Sequence, residues 1–318
     1  MSAYLYLFLG LAVMIICGNL LVTGSVQLAR HFKISTLVIG LTVVAYVTST
    51  PEIFISVKAA IDGSHDIALG NVIGSNIANI GCILAVVALV CPIPIRNRAI
   101  GFDIMMMFLV TFLLLFFGLN GMIGFFEGLC LLTILAAYTV WSIAKSRKKN
   151  VSTALSTSIS EETVKPTQKP LQAISLILIA IVGLYFAADW FVSGAKNVAL
   201  QWGVSERVIG VSIVAVGTSM PELMTSIIAA FKKEADLSVG NIIGSNFFNI
   251  AGVLGITTTV RSLNIADHTL FITDMMWLFG ISTALLLTMI PLTKGKITRW
   301  ESIWLLLVFA GYMIIVYK

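Results

Sequence analysis

The 318-residue chain is 58% hydrophobic and only 11% charged, against the roughly one quarter of charged residues in soluble domains. That composition excludes a soluble domain and predicts an all-α polytopic membrane protein. The formal net charge of +5 follows the loops, so it reads as a topology signal and not as a nucleic-acid-binding surface.

Ten apolar runs, each able to cross about 30 Å of hydrocarbon as a helix, are predicted in chain order: 3–28, 36–61, 67–90, 100–118, 121–144, 171–196, 206–231, 237–260, 269–291 and 299–317. The first is longer than a secretory h-region and no basic segment precedes it. It is expected to stay as the first helix of a mature chain that starts near Met1. Between the fifth and sixth runs, Lys145 to Pro170 is polar, Ser/Thr-rich and without hydrophobic period, the signature of a flexible cytoplasmic linker. The chain thus divides into a first five-helix unit (1–144), a linker (145–170) and a second five-helix unit (171–318).

The second unit repeats the first. Placing Gly40 on Gly210 gives a constant offset of 170 without gaps to Leu84 and Leu254, with roughly twenty of about forty-six positions identical. Such self-similarity marks an internal duplication. Upstream, Val22, Gly24, Ala29, Ser35, Val38 and Ile39 match Val192, Gly194, Ala199, Ser205, Val208 and Ile209; downstream, Glu127 and Tyr138 match Glu301 and Tyr312 at a shifted offset. Five crossings per unit mean that the second inserts upside down relative to the first. Inverted repeats are a plan of secondary transporters, with the substrate site near the midplane at the repeat interface. The inside set of basic residues includes Arg30, Lys33, Arg96, Arg98, Lys145, Arg147, Lys148, Lys149, Lys165, Lys169, Lys232, Lys233, Lys294, Lys296 and Arg299. Lys58, Lys196, Arg207, Arg261 and Lys318 remain on the other side, so both termini are expected to face away from the cytoplasm. Cys17, Cys82, Cys91 and Cys130 are expected as small buried hydrophobes, and His31, His65 and His268 as interfacial polar residues.

Two motifs carry chemistry. "VTSTPEIFIS" (47–56) and "GTSMPELMTS" (217–226) each put a proline inside an apolar run, which predicts broken helices 2 and 7. The hydroxyl residues before each proline are expected to cap the new half-helix. The break also frees carbonyls around Ala45 and Thr48, and around Ala215 and Thr218. Glu52 and Glu222 follow the prolines, and a carboxylate near mid-membrane costs about 2.5 kcal/mol or more on insertion scales, which makes both functional candidates. The second motif, "GNVIGSNIANI" (70–80) with "GNIIGSNFFNI" (240–250), carries small-xxx-small faces at Gly70, Gly74, Gly240 and Gly244 that allow close helix approach. Ser75 and Asn79 share one helical face, as do Ser245 and Asn249. Asn71, Asn76, Asn241 and Asn246 read as supporting hydrogen-bonding groups. Every candidate ligand is a hard oxygen. Calcium favours about six to eight such ligands in flexible geometry, sodium also takes oxygens, and zinc or copper would favour His and Cys.

With these residues the chain resembles the sodium/calcium exchanger family of the calcium/cation antiporter superfamily, in its prokaryotic form, over nearly its whole length. The resemblance implies exchange of Ca²⁺ for Na⁺ by alternating access, with the first and sixth helices sliding across the rest. It implies Glu52 and Glu222 as shared cation ligands, helped by Thr48, Ser49, Thr218 and Ser219. Ser75, Asn79, Ser245 and Asn249 would line sodium subsites, with the backbone oxygens of Ala45 and Ala215 assisting. Calcium exchangers of this family often carry Asp where this chain has Asn249, which bears on stoichiometry and electrogenicity. Val47, opposite Gly217, also replaces an expected small residue.

A proton/calcium antiporter is the nearest alternative, because two like charges in a low-dielectric site raise each other's proton affinity. A passive cation channel is more distant, and no nucleophile-base arrangement suggests an enzyme. No cofactor is expected; the partners are Ca²⁺ and Na⁺ as transported substrates and the lipid bilayer, in a bacterial or archaeal cell membrane. Asp103 and Asp274 are expected as helix N-terminal charges, and Asp189 and Lys196 as snorkelling interfacial residues.

Overall fold

The structure is a computed structural model that describes residues 3–94, 100–156, 170–203, 215–289 and 296–316. The expected segment 206–214, the end of run 269–291, most of the linker, and Arg96, Arg98, Lys165, Lys169, Arg207, Lys294 and Lys318 lie outside the described residues.

The described first unit runs α1 (Ala3–Phe32), α2 (Thr36–Thr48), α3 (Thr50–Ile61), α4 (His65–Val90), β1 (Ile93–Pro94), α5 (Ile100–Gly118), β2 (Met122–Ile123) and α6 (Phe125–Ser156). The second runs α7 (Pro170–Gln201), α8 (Ala215–Thr218), α9 (Met220–Phe231), α10 (Ala235–Val260), β3 (Leu263–Asn264), α11 (His268–Met289), β4 (Lys296–Ile297) and α12 (Arg299–Val316). Among the described residues seven helices are long and apolar enough to cross a membrane, or eight if α2 and α3 form one span bent by 46°. Helix α6 continues to Ser156, into the stretch expected as a loop. Its continuation, KSRKKNVSTALS, contains neither Gly nor Pro and several good helix formers, so nothing local stops the helix.

Contacts between the halves come in matched pairs. A Cβ at Gly24 would lie 2.9 Å from the Ala173 carbonyl, and one at Gly194 would lie 2.9 Å from the Ala3 carbonyl. Both pairs are related by the offset of 170, and they make α1 and α7 antiparallel. Only a glycine lets the two backbones come so near. The strands repeat the exchange: β1 pairs with β4 through Ile93 and Ile297, and β2 with β3 through Ile123 and Leu263, both antiparallel. Glu127 and Glu301 close the starts of α6 and α12 in the same way, each accepting the N–H three residues back, from Gly124 at 3.0 Å and Thr298 at 2.6 Å. This is the reach-back half of a capping box.

Helix ends in the two halves differ in one instructive place. Helix α3 ends on Gly63 at φ +78°, and α9 on its repeat mate Lys233 at φ +63°. The following N–H groups bond back to Ala59 and Ala229 at 2.8 and 2.9 Å, the left-handed cap that favours glycine.

Of the interhelical glycines expected in the second motif, Gly240 and Gly244 bear out close approach to α2. A Cβ at either would meet the Leu37 carbonyl at 2.5 Å or the Leu41 Cα at 2.6 Å. The free cysteines are less uniform than expected: Cys17 is buried, but Cys130 is exposed on α6, where an apolar thiol can face lipid.

Candidate functional site

Both expected helix breaks are present. Pro51 and Pro221 sit in the first turns of α3 and α9. The residues before those helices, Ser49 (φ −85°, ψ 13°) and Ser219 (φ −89°, ψ 8°), share one conformation outside the helical well. Each proline lacks the N–H that would go to a carbonyl four residues back, on Val47 and Gly217. The carbonyl expected to be free, that of Ala45, instead accepts the Ser49 N–H at 3.0 Å. Ala215 begins α8.

The capping expectation fails in a way that defines the site. Neither serine caps its own half-helix. Ser49 Oγ donates to Glu222 Oε1 at 2.9 Å, and Ser219 Oγ donates to Glu52 Oε1 at 3.5 Å. A hydroxyl gains more from an ionised acceptor than from a backbone amide, so each half holds the other's carboxylate. Glu52 and Glu222 are both 0% exposed. Their second oxygens, Oε2 in each, are buried without a hydrogen-bond partner, and no Lys or Arg appears among the buried polar residues of the described chain. Two unpaired buried carboxylates are strongly unfavourable as ions unless a metal cation or a proton neutralises them.

Further buried oxygens lie on the elements that pack against these two helices. Thr48 Oγ1 lies 3.2 Å from Asn241 Oδ1 and 3.4 Å from Ser245 Oγ and from the Ala45 carbonyl. Thr218 is buried beside the break in the second half. Ser75 Oγ and both amide atoms of Asn79 and of Asn249 are buried without partners. Asn79 and Asn249 each open a wide π turn, Asn79–Leu84 and Asn249–Leu254, and each turn packs against the glutamate-bearing helix of the opposite half. Wide turns of this kind recur at functional sites.

Asn71 and Asn241 form supporting bonds between helices as expected, whereas Asn76 and Asn246 bond only within their own helix and each keep a buried Oδ1 without a partner. Asn71 Nδ2 donates to Ser56 Oγ at 2.8 Å and to the Glu52 carbonyl at 3.3 Å. Asn241 Nδ2 donates to Ser226 Oγ at 3.0 Å and to the Glu222 carbonyl at 3.4 Å. Asn76 and Asn246 bond back to the Val72 and Ile242 carbonyls. Ser56 and Ser226, which anchor these bonds, were not singled out from the sequence. The available signal was their identity in both repeats, four residues after each glutamate. Asp103 does lie in the first turn of α5, but it is buried and accepts a hydrogen bond from Tyr138 Oη at 2.7 Å. Asp274 falls in the second turn of α11, so it is not an N-terminal charge.

The chain matches the family described as "Sodium/calcium exchanger protein" over residues 2–144 and 172–318. It is 34% identical to the CaxA protein of Alkalimonas amylolytica over 317 residues, covering 99% of both chains. It is 28% identical to sodium/calcium exchanger MaX1 of Methanosarcina acetivorans over 349 residues, covering 99% of this chain and 98% of the relative. Its fold is similar to the solved sodium-calcium exchanger NCX_Mj, from crystals soaked with Na⁺ and Ca²⁺, at a TM-score of 0.81, 31% identity and 99% coverage of both chains.

Proposed function

The chain belongs to the sodium/calcium exchanger protein family, and from that premise we propose that it is a secondary active antiporter exchanging Ca²⁺ for Na⁺ at a site built on Glu52 and Glu222. Family membership itself supports cation/Ca²⁺ antiport by an integral membrane protein. The observation that carries the finer reading is the pair of fully buried carboxylates, each held by a serine of the other half and each with one oxygen unpartnered. A dehydrated cation supplies the missing partner for both. Thr48, Ser49, Thr218, Ser219, Ser75, Asn79, Ser245 and Asn249 complete the oxygen set, with the Ala45 and Ala215 carbonyls at its edge.

The architecture proposed for this activity is ten transmembrane helices in two inverted five-helix repeats, 1–144 and 171–318, joined by a cytoplasmic linker at 145–170. The antiparallel pairing of repeat mates α1 and α7 supports the inversion. Both termini then lie outside, in a cell membrane of a prokaryote.

Sodium is favoured over protons as the coupling ion by the neutral groups. Ser75, Asn79 and Asn249 are buried and unpartnered, and none of them titrates, so they suit coordination of a second kind of cation better than proton relay. The deciding experiment is ⁴⁵Ca²⁺ uptake into proteoliposomes with membrane potential clamped, under an outward Na⁺ gradient or an outward H⁺ gradient. Uptake under the Na⁺ gradient alone is expected. Uptake under the H⁺ gradient alone would replace the coupling ion, and uptake that no counter-ion gradient stimulates and that shows no saturating counterflow would indicate a channel.

A further inference from the structure

The two halves hold equivalent seams in different states. Helix α1 lies against α9: a Cβ at Gly18 would meet Ile228 Cδ1 at 2.9 Å, and Lys232 Nζ donates to Thr23 Oγ1 at 2.7 Å. The seam that the offset of 170 relates to this one, α7 against α3, holds a cavity of about 210 Å³ and is bridged there by an edge-on contact of Phe54 with Tyr185, ring centroids 5.4 Å apart. Pro51, Phe54 and Lys58 line it from α3, Ala188 and Asp189 from α7, and Thr218 from α8. Pro51 and Thr218 adjoin Glu52 and Ser219 in sequence, so the floor of the cavity is one residue from the site in each half. Lys58 stands six residues beyond Glu52, roughly 9 Å along the helix axis, and both Lys58 and Asp189 are exposed.

The offset places Gly18 on Ala188, Asn19 on Asp189 and Ile228 on Lys58. In the closed seam Ile228 rests on Gly18. Closing the open seam in the same manner lays Lys58 over Ala188, one residue from Asp189. The mates of Lys58 and Asp189 in the closed seam, Ile228 and Asn19, are neutral. No ion pair joins Lys58 to Asp189 in the open form, although both line the same cavity.

We propose that Lys58 and Asp189 are the gate of this cavity, parting to admit cations and joining as an ion pair when α7 closes on α3. The proposal rests on the antiport reading, in which access to the site alternates. An exposed ion pair is weak, which suits a contact that must break in every cycle. Repeat symmetry supplies the closed geometry, and the charges make closure specific to this side.

The test uses the full chain with Cys17, Cys82, Cys91 and Cys130 changed to Ala, carrying Lys58→Cys and Asp189→Cys, in proteoliposomes. A short bis-methanethiosulfonate linker is expected to join the two thiols and to lower Ca²⁺ exchange by about 10-fold or more, with reductant restoring it. Each single-cysteine variant should keep its rate under the same reagent. No cross-link, or a cross-link that leaves exchange unchanged, overturns the gate. As a second arm, Lys58→Asp alone sets two carboxylates face to face and should slow exchange, and adding Asp189→Lys should restore it. Equal losses in the single and the exchanged variant overturn the pairing. If the unmodified chain carries no Ca²⁺ while the linker still joins 58 to 189 in the cysteine-free background, it is the antiport reading that fails and not the pairing of the two positions.

Discussion

Glu52 and Glu222 each place a carboxylate at 0% exposure with no buried Lys or Arg among the described residues, and each accepts a hydrogen bond from a serine of the opposite half. An isosteric amide keeps the shape and removes the charge that a cation would need. Glu52→Gln and Glu222→Gln should therefore insert and fold, yet lose Ca²⁺ exchange by about 100-fold, or about 2.7 kcal/mol at 1.36 kcal/mol per tenfold. Folding is checked by thermal unfolding in detergent, exchange in proteoliposomes; normal exchange in either variant would remove the two-glutamate site. The serines should rank by geometry. Ser49→Ala removes a bond of 2.9 Å and Ser219→Ala one of 3.5 Å, so the first should raise the apparent Ca²⁺ KM more than the second. At this scale the glutamates were legible because a carboxylate in an oily run has so few structural excuses. The serines' true acceptors were not legible, because a local cap and a contact 173 residues away present the same TS-x-PE string.

Elements were readable where one residue forces the backbone. Each proline in an apolar run announced its break. The π turns at Asn79 and Asn249 were invisible because one extra residue in a turn leaves the hydrophobic period nearly intact. The left-handed cap gives a clean comparison within one chain, since one repeat uses Gly63 and the other Lys233 for the same geometry. Holding a non-glycine residue left-handed costs about 1–2 kcal/mol, while a glycine returns part of that as unfolded-chain entropy, about 0.5–1 kcal/mol. Lys233→Gly should thus raise the unfolding temperature slightly, and a lower one would show that the Lys233 side chain contributes more than the turn costs. The opposite sign is expected at the α1–α7 contact. A side chain at Gly10 would bring its Cβ within 2.7 Å of the Phe191 nitrogen and 2.8 Å of the Ala187 carbonyl. Gly10→Val must part the two helices and should destabilise by about 1–3 kcal/mol, read as a lower unfolding temperature.

For the whole molecule, the duplication visible in the sequence becomes exchanged contacts: strand with strand, serine with glutamate, glycine with backbone, each pair matched by its mate. One consequence concerns charge. Among the described residues the proposed site holds two carboxylates, and the mates Asn79 and Asn249 are both neutral amides. One Ca²⁺ neutralises that site, and so do two Na⁺. A third Na⁺ would leave a net positive charge buried in a low-dielectric interior, at a penalty of several kcal/mol. Exchange should then run at two Na⁺ per Ca²⁺ and carry no net charge, so its rate in proteoliposomes should not respond to a clamped membrane potential. Asn249→Asp supplies a third carboxylate beside the pair. In that variant a third Na⁺ can be accommodated, and Na⁺-driven Ca²⁺ uptake should become sensitive to potential. Potential-sensitive exchange in the unmodified chain would instead require a further charge in the pathway, and the net charge moved per Ca²⁺, measured from the reversal of flux, would count it.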